Sequence, residues 1–348
     1  MVVIIGGLGT GGRPNNVIFA SDEDNYIFGD PYTAGNPDGI PSMGGFLNGQ
    51  AGHDIIVGGS RHDRVMGDAW VITTGGTGGS DRIQGGHGQD ILSGDSYEII
   101  GRAEGGGDQL IGGWGHDILF GDAYAMSDRT RAGSDQLYGD LGQDRLFGDA
   151  FEFRDHVWGT ADHLHGGQGD DWLIGDAYMM ADQTRGGRDQ LHGGEGRDML
   201  FGDAYEMSGR ILAENDALEG DAGQDMLFGD AFIAGAGARG GDDLLIGGDG
   251  RDRLWGDFAE IDGSATGGRD TFLFGMDSGI DQVLDFEPGK DVLDIRAYGF
   301  ESFSDLTLVG NGSPTVAVML DDTGSNRILV QTLSHDPLTL DAGDVIVA

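Results

Sequence analysis

Three columns of aspartate recur through this glycine-rich chain at a fixed spacing. The leading column is Asp54, Asp81, Asp108, Asp135, Asp162, Asp189, Asp216, Asp243 and Asp270, one every 27 residues without an insertion. Nine residues after each leading aspartate except the last comes a second one: Asp63, Asp90, Asp117, Asp144, Asp171, Asp198, Asp225 and Asp252. Five further on stands a Gly-Asp pair, ending in Asp68, Asp95, Asp122, Asp149, Asp176, Asp203, Asp230 and Asp257. Stacked carboxylates among glycine carbonyls offer oxygen ligands only, which suits a hard cation that tolerates six or more of them, and calcium fits better than the stricter magnesium. Aspartate also forms turns by bonding its own backbone. That explains part of the Gly-Asp column but not two or three aspartates per repeat stacked about 5 Å apart, which would repel without a cation.

The elements that position these carboxylates follow from the same repeat. A fixed period of this size marks a solenoid in which each repeat stacks on the last. Asp-x-Leu-x is short and alternating, so it predicts a strand with its leucine inward. The apolar ladders are Leu110, Leu137, Leu164, Leu191, Leu218 and Leu245 in one column and Leu119, Leu146, Leu173, Leu200, Leu227 and Leu254 in the other. Gly112-Gly113-Trp114-Gly115-His116 and its counterparts predict a tight turn. Strand and turn alternate, so the chain coils and its parallel strands pair between successive coils.

Gly-Gly-x-Gly-x-Asp-x-Leu-x resembles the nonapeptide of the RTX, or haemolysin-type calcium-binding, β-roll family. The resemblance covers most of the chain. It implies calcium held by the aspartates of the first two columns and by turn glycines, among them Gly85, Gly112, Gly113, Gly115, Gly166, Gly169, Gly193, Gly196, Gly247 and Gly250, at one or two ions per coil. Members of that family repeat every 18 residues, whereas here a further segment follows each Gly-Asp pair, as in Ala123 to Ser134. Were 27 residues one and a half coils, this segment would alternate sides and break both ladders; if they make one coil, like stacks on like. The second arrangement is expected.

The extra segment carries Trp70, Tyr97, Tyr124, Phe151, Tyr178, Tyr205 and Phe232 in one column, and Ile72, Ile99, Met126, Phe153, Met180, Met207 and Ile261 mostly fill another two residues on. That alternation predicts a strand with one apolar face. The face either packs inside as a third wall or stands exposed as an aromatic stripe that stacks on polysaccharide. Arg129, Arg131, Arg185, Arg188 and Arg210 lie near it.

Composition narrows the function. Sixty acidic against twenty basic residues give a net charge of −40, so self-repulsion expands the chain unless counter-ions bind at specific places. Nucleic acid and anionic membrane surfaces are poor partners for such a chain. The 69 glycines lack a Gly-X-Y period, which excludes collagen. Cysteine is absent, as export permits. Met1 to Ile5 lacks a basic leader, so no signal peptide is expected there, and no apolar run is long enough to span a membrane.

Residues 1–44 read as a degenerate first coil and N-terminal cap, with a turn at Gly6 to Gly9 and an enlarged loop over 31–44. Residues 45–270 carry the repeats, and 271–348 break the lattice. That last segment resembles the C-terminal cap of secreted RTX proteins, and Asp344-Val345-Ile346-Val347-Ala348 resembles a type I secretion signal. The expected fold is therefore all-β, a parallel β-roll or β-helix solenoid with 27-residue rungs and a C-terminal β cap. No His-Glu-x-x-His, Gly-x-Ser-x-Gly or P-loop motif is present, and His165 and His192 share a column without an evident third ligand, as turn-flanking residues do. Threonines form no column, which excludes a flat ice-binding array.

The expected function is a secreted, non-enzymatic calcium-binding protein that passes a type I exporter unfolded and folds in extracellular calcium, with a structural or cell-surface role. The alternative is a module binding extracellular polysaccharide.

Overall fold

The computed structural model describes residues 2–5, 15–20, 24–29, 46–47, 49–276 and 278–347. The turn expected at Gly6 to Gly9 and the loop over 31–44 lie outside these residues. Each 27-residue unit is one complete coil. In the unit led by Asp108 the strands are Gln109–Gly115, Ile118–Phe120 and Ala123–Ser127. Each pairs in parallel with its counterpart one unit on, Gln109 with Gln136, Leu119 with Leu146 and Met126 with Phe153. Repetition builds three faces, which among the described residues have 13, 14 and 9 strands.

The leucine of each short strand decides which side is inside. Leu110 and Leu119 and their columns are fully buried against one another and form one continuous apolar compartment between the first and second faces. The third face closes a second compartment, filled by Ala123, Met126, Ala150, Phe153, Ala177 and Met180 and their equivalents. The two compartments do not merge. Between them the coil narrows to a waist where Gly121-Asp122 on one side meets Gly133 and Asp135 on the other, with the Gly133 amide donating to the Asp122 carboxylate at 3.1 Å.

The third strand corrects the alternation read from its sequence. Ala123 and Met126 point inward, three residues apart, while Tyr124 and Ala125 between them are half-buried. The cause is a local doubling of hydrogen bonds, in which the amides of Asp122 and Ala123 both donate to the Asp149 carbonyl, at 2.9 and 3.2 Å. The register stays one to one, Ala123 with Ala150 and Ala125 with Glu152, but with Ala123 and Met126 both inward the aromatic column stands out of the compartment. Tyr97, Tyr124, Phe151, Tyr178 and Tyr205 stack at centroid spacings of 4.8 to 5.1 Å. Tyr124, Phe151, Tyr205 and Phe232 of this column meet the buried Phe120, Phe147, Phe201 and Phe228 edge to face in the crease between the second and third faces. The column is thus neither inside nor freely exposed. Its last apolar partner breaks the pattern too: the Met207 column passes through Ala234 to Ile261, which is exposed.

Among the described residues past Ile261, two of the faces continue. The first extends through Thr271–Leu273, Val292–Asp294 and Val345–Ile346. The second adds Ile280–Val283, Arg327–Val330 and, antiparallel, Val316–Met319 and Thr307–Val309. Phe272, Phe286, Val318 and Ile328 extend the first compartment to its end. Among the described residues no helix is long and apolar enough to cross a membrane.

Candidate metal centre

Every aspartate of the leading and second columns is buried, none more than 4 % exposed. One oxygen of each carboxylate serves the backbone. The Asp108 amide donates to Asp135 Oδ1 at 2.6 Å and the Asp117 amide to Asp144 Oδ1 at 2.7 Å. The same link joins neighbouring coils from Asp54 with Asp81 to Asp243 with Asp270, and from Asp63 with Asp90 to Asp225 with Asp252. These bonds run to the adjacent coil rather than to the residue's own turn, so the turn-forming explanation does not describe them. The other oxygen has no hydrogen-bond partner. This holds for Asp108, Asp135, Asp162, Asp189, Asp216, Asp243 and Asp270, and for Asp90, Asp117, Asp144, Asp171, Asp198, Asp225 and Asp252. A buried, unpartnered carboxylate oxygen is costly unless a cation or proton neutralises it, and here such oxygens form two rows along the solenoid.

Glycine carbonyls complete both rows. At the turn between the first and second faces, a side chain placed on Gly112 would lie 2.6 Å from Asp117 Oδ2 and 3.0 Å from the Gly139 carbonyl. Gly85, Gly166 and Gly193 line the same small cradle in their coils, and Gly247 adjoins Asp252. Gly113 turns the chain at φ 105°, and Gly115 lies directly on the Gly88 carbonyl of the preceding coil, as Gly169, Gly196 and Gly250 lie on theirs. At the waist the arrangement recurs. Gly94 faces Asp108 Oδ2 and the Gly121 carbonyl, and Gly121 faces Asp135 Oδ2 and the Gly148 carbonyl. A glycine thus meets an aspartate five residues on at the tight turn but fourteen on at the waist, because the third face is inserted between the two halves of the second turn.

The Gly-Asp column adds a second carboxylate to the waist. Asp68, Asp95, Asp176 and Asp230 each accept from a glycine amide of the returning chain at 2.7 to 2.9 Å, which fixes the neck of the third face. Asp95 Oδ1, Asp176 Oδ2, Asp203 Oδ2 and Asp230 Oδ2 are left without a partner, as are both oxygens of Asp149. Carboxylate oxygens of Asp122, Asp135 and Asp149 lie within 4.8 Å of one another, as do those of Asp54, Asp68 and Asp81.

The electrostatics match. Burial, before any other cause, pushes Asp90 and Asp198 up to about 7 and Asp144 and Asp225 up to about 8. At the waist burial again leads, the neighbouring carboxylates add to it, and Asp108, Asp135, Asp189 and Asp216 are held well above the usual carboxylate range. The buried oxygens, the cradles and the all-oxygen donors fit a hard cation of calcium's kind.

Both rows run further than the sequence columns. Asn16 and Asn25 stand at the head, their amides donating to Asp54 and Asp63 Oδ1 at 2.5 and 2.9 Å. At the other end Asp281 accepts from the Asp252 amide and Asp291 from the Asp270 amide, each at 3.1 Å. The nine-residue step from Asn16 to Asn25 was the legible signal at the head; at the tail the changed spacing hid the continuation.

A comparison with curated proteins finds no match. The family model of the RTX calcium-binding nonapeptide repeat matches residues 46–69, 76–96, 101–123, 129–151, 159–177, 183–204, 212–233 and 238–258. These segments take in Asp54 to Asp243 of one row and Asp63 to Asp252 of the other, and on that match the chain belongs to the RTX calcium-binding repeat family.

Proposed function

We propose that this chain is a secreted, non-catalytic repeat protein that folds on binding calcium outside the cell, at one or two ions per coil, and that leaves the cell unfolded through a type I exporter to act as a structural or surface component. The observation that carries the reading is the double row of buried Oδ2 atoms without partners, each row beside a stack of glycine carbonyls. Asp117 and its column, with the first glycine of each tight turn, would hold one row of ions. Asp135 and its column, with the Gly121 column and the facing Asp122 and Asp149, would hold the other. Calcium, when bound, supplies the positive charge that lets these buried oxygens remain ionised. The protein's own part is to bring ligands from successive coils together, so ligand free energy becomes folding free energy. Low cytosolic calcium then keeps the chain threadable, and extracellular modules bind weakly enough to use the difference in concentration.

The test is far-UV circular dichroism of the full chain during a calcium titration, with magnesium as the comparison and calorimetry for stoichiometry. A coil-to-β transition specific to calcium and saturating at one or two ions per coil is expected. A β signal indifferent to strong chelator would overturn the reading.

A further inference from the structure

On the outward side of the first face a donor set of different chemistry comes together. Tyr138, His165, His192 and Glu219 occupy one column of paired positions in successive coils. The His165 ring stacks on Tyr138 at 5.3 Å and on His192 at 4.8 Å. Where the next ring would follow, the column gives a carboxylate instead. His192 Nδ1 lies 3.3 Å from Glu219 Oε2 and 3.9 Å from Asp221 Oδ2, and one donor atom from each residue falls within 4.8 Å of the others. All three side chains are open to solvent, at 36 %, 38 % and 41 % exposure.

Asp221 shares its column with glycines. Gly86, Gly113, Gly167, Gly194 and Gly248 fill most of it at positive φ; Asp140, beside Tyr138, holds φ 71°, and Asp221, beside Glu219, holds φ 67°. The column therefore carries a left-handed backbone that glycine adopts freely, and here a carboxylate has been set on it beside an imidazole.

An imidazole nitrogen with two carboxylates is the ligand set of zinc-class cations rather than of calcium, which takes oxygen alone. Zinc bonds of about 2.0 to 2.2 Å in a tetrahedron separate neighbouring ligand atoms by about 3.4 Å, so the 3.3 Å between nitrogen and Glu219 oxygen is already that of two ligands on one ion. We infer that His192, Glu219 and Asp221 form a surface site for a zinc-class divalent cation, separate from the buried carboxylate rows. His192 belongs to the coil led by Asp189, and the two carboxylates to the coil led by Asp216. The site thus exists only when those coils are stacked, whichever ion stacks them, and its occupation would pin them together.

The experiment is titration of zinc chloride into the full chain, held folded in saturating calcium and checked for its β signal beforehand, with heat as the readout. One zinc ion is expected at this site. Asp221→Gly introduces the residue found at Gly167, Gly194 and Gly248 of the same column, so it spares the fold, and it should weaken zinc about tenfold or more, as should His192→Ala. His165→Phe keeps the stacked ring and should leave zinc binding unchanged. With cobalt(II) as the probe, the visible spectrum of a nitrogen-ligated ion should appear in the parent chain and vanish in the Asp221→Gly chain. The same zinc affinity and stoichiometry in the parent, Asp221→Gly and His192→Ala chains would overturn the assignment. So would the absence of zinc binding by the parent, which would leave His192 as the partner of a simple ion pair.

Discussion

At Asp135 one carboxylate oxygen holds the Asp108 amide at 2.6 Å while the other is buried beside Asp122 and Asp149 without a hydrogen bond. The two oxygens can be tested apart, because asparagine keeps the acceptor and removes the charge. In calcium-free solution Asp135→Asn should stabilise whatever fold remains, since it deletes a buried charge that neighbouring carboxylates repel. In saturating calcium the same change should cost about 3 kcal/mol, the usual scale for stripping one side of a buried charge pairing, with the ion count falling by one. Asp135→Ala should cost about 1 kcal/mol more, for the lost hydrogen bond. Chemical denaturation with and without calcium checks all three. If Asn left stability unchanged in both conditions and Ala alone lowered it, the carboxylate would be a hydrogen-bond acceptor and nothing more.

The turn between the first and second faces offers a test at the level of an element, because its cradle is too tight for a methyl group. Gly112→Ala would place a carbon 2.6 Å from Asp117 Oδ2 and 3.0 Å from the Gly139 carbonyl, whereas Gly275→Ala would meet nothing within 4 Å. In saturating calcium the first should cost about 2 kcal/mol, as overpacking does, and lose an ion; the second should lose neither. Titration calorimetry of both variants reads the difference. The third face offers a second test: Phe153 is fully buried in its compartment and Tyr178 only half-buried in the outer crease. Phe153→Ala should cost about 3 to 5 kcal/mol and Tyr178→Ala clearly less, measured by denaturation in calcium. Equal losses would mean that the crease bears as much as the compartment. Much of this element was legible in the chain, since a strict 27-residue period forces like onto like and the columns of Leu110 and Leu119 name the core. The waist was not. Nothing local in Gly121-Asp122 says that it meets Gly133 and Asp135 across the coil, and the i, i+2 rule fails at Tyr124 because the Asp149 carbonyl takes two amides. The residues around His192 were hidden differently: Glu219 stands in the histidine column, but Asp221, two residues on in the same strand, stands in a column mostly of glycine.

For the molecule as a whole, the rows of carboxylates set how stability follows pH. The chain carries a net charge of −40, and the buried aspartates favour the protonated form: Asp171 and Asp252 rise from 3.8 to about 6 and Asp144 and Asp225 to about 8, with burial as the leading cause. Folded values above unfolded ones mean that the metal-free fold binds more protons than the unfolded chain. Its stability is then greatest below about pH 4 and falls as pH rises from there through the folded values, to about 8. The metal-free chain should therefore gain β signal on acidification and lose it towards neutrality. With calcium saturating, the dependence should reverse. Cations then keep the same oxygens ionised in the fold, protons compete with them, and β signal should hold at pH 7 and weaken as pH falls. Circular dichroism against pH at the two calcium levels gives a pair of curves that must cross. Curves that ran parallel would show that calcium and protons do not share these oxygens, and the buried rows would have to be neutralised by some other means.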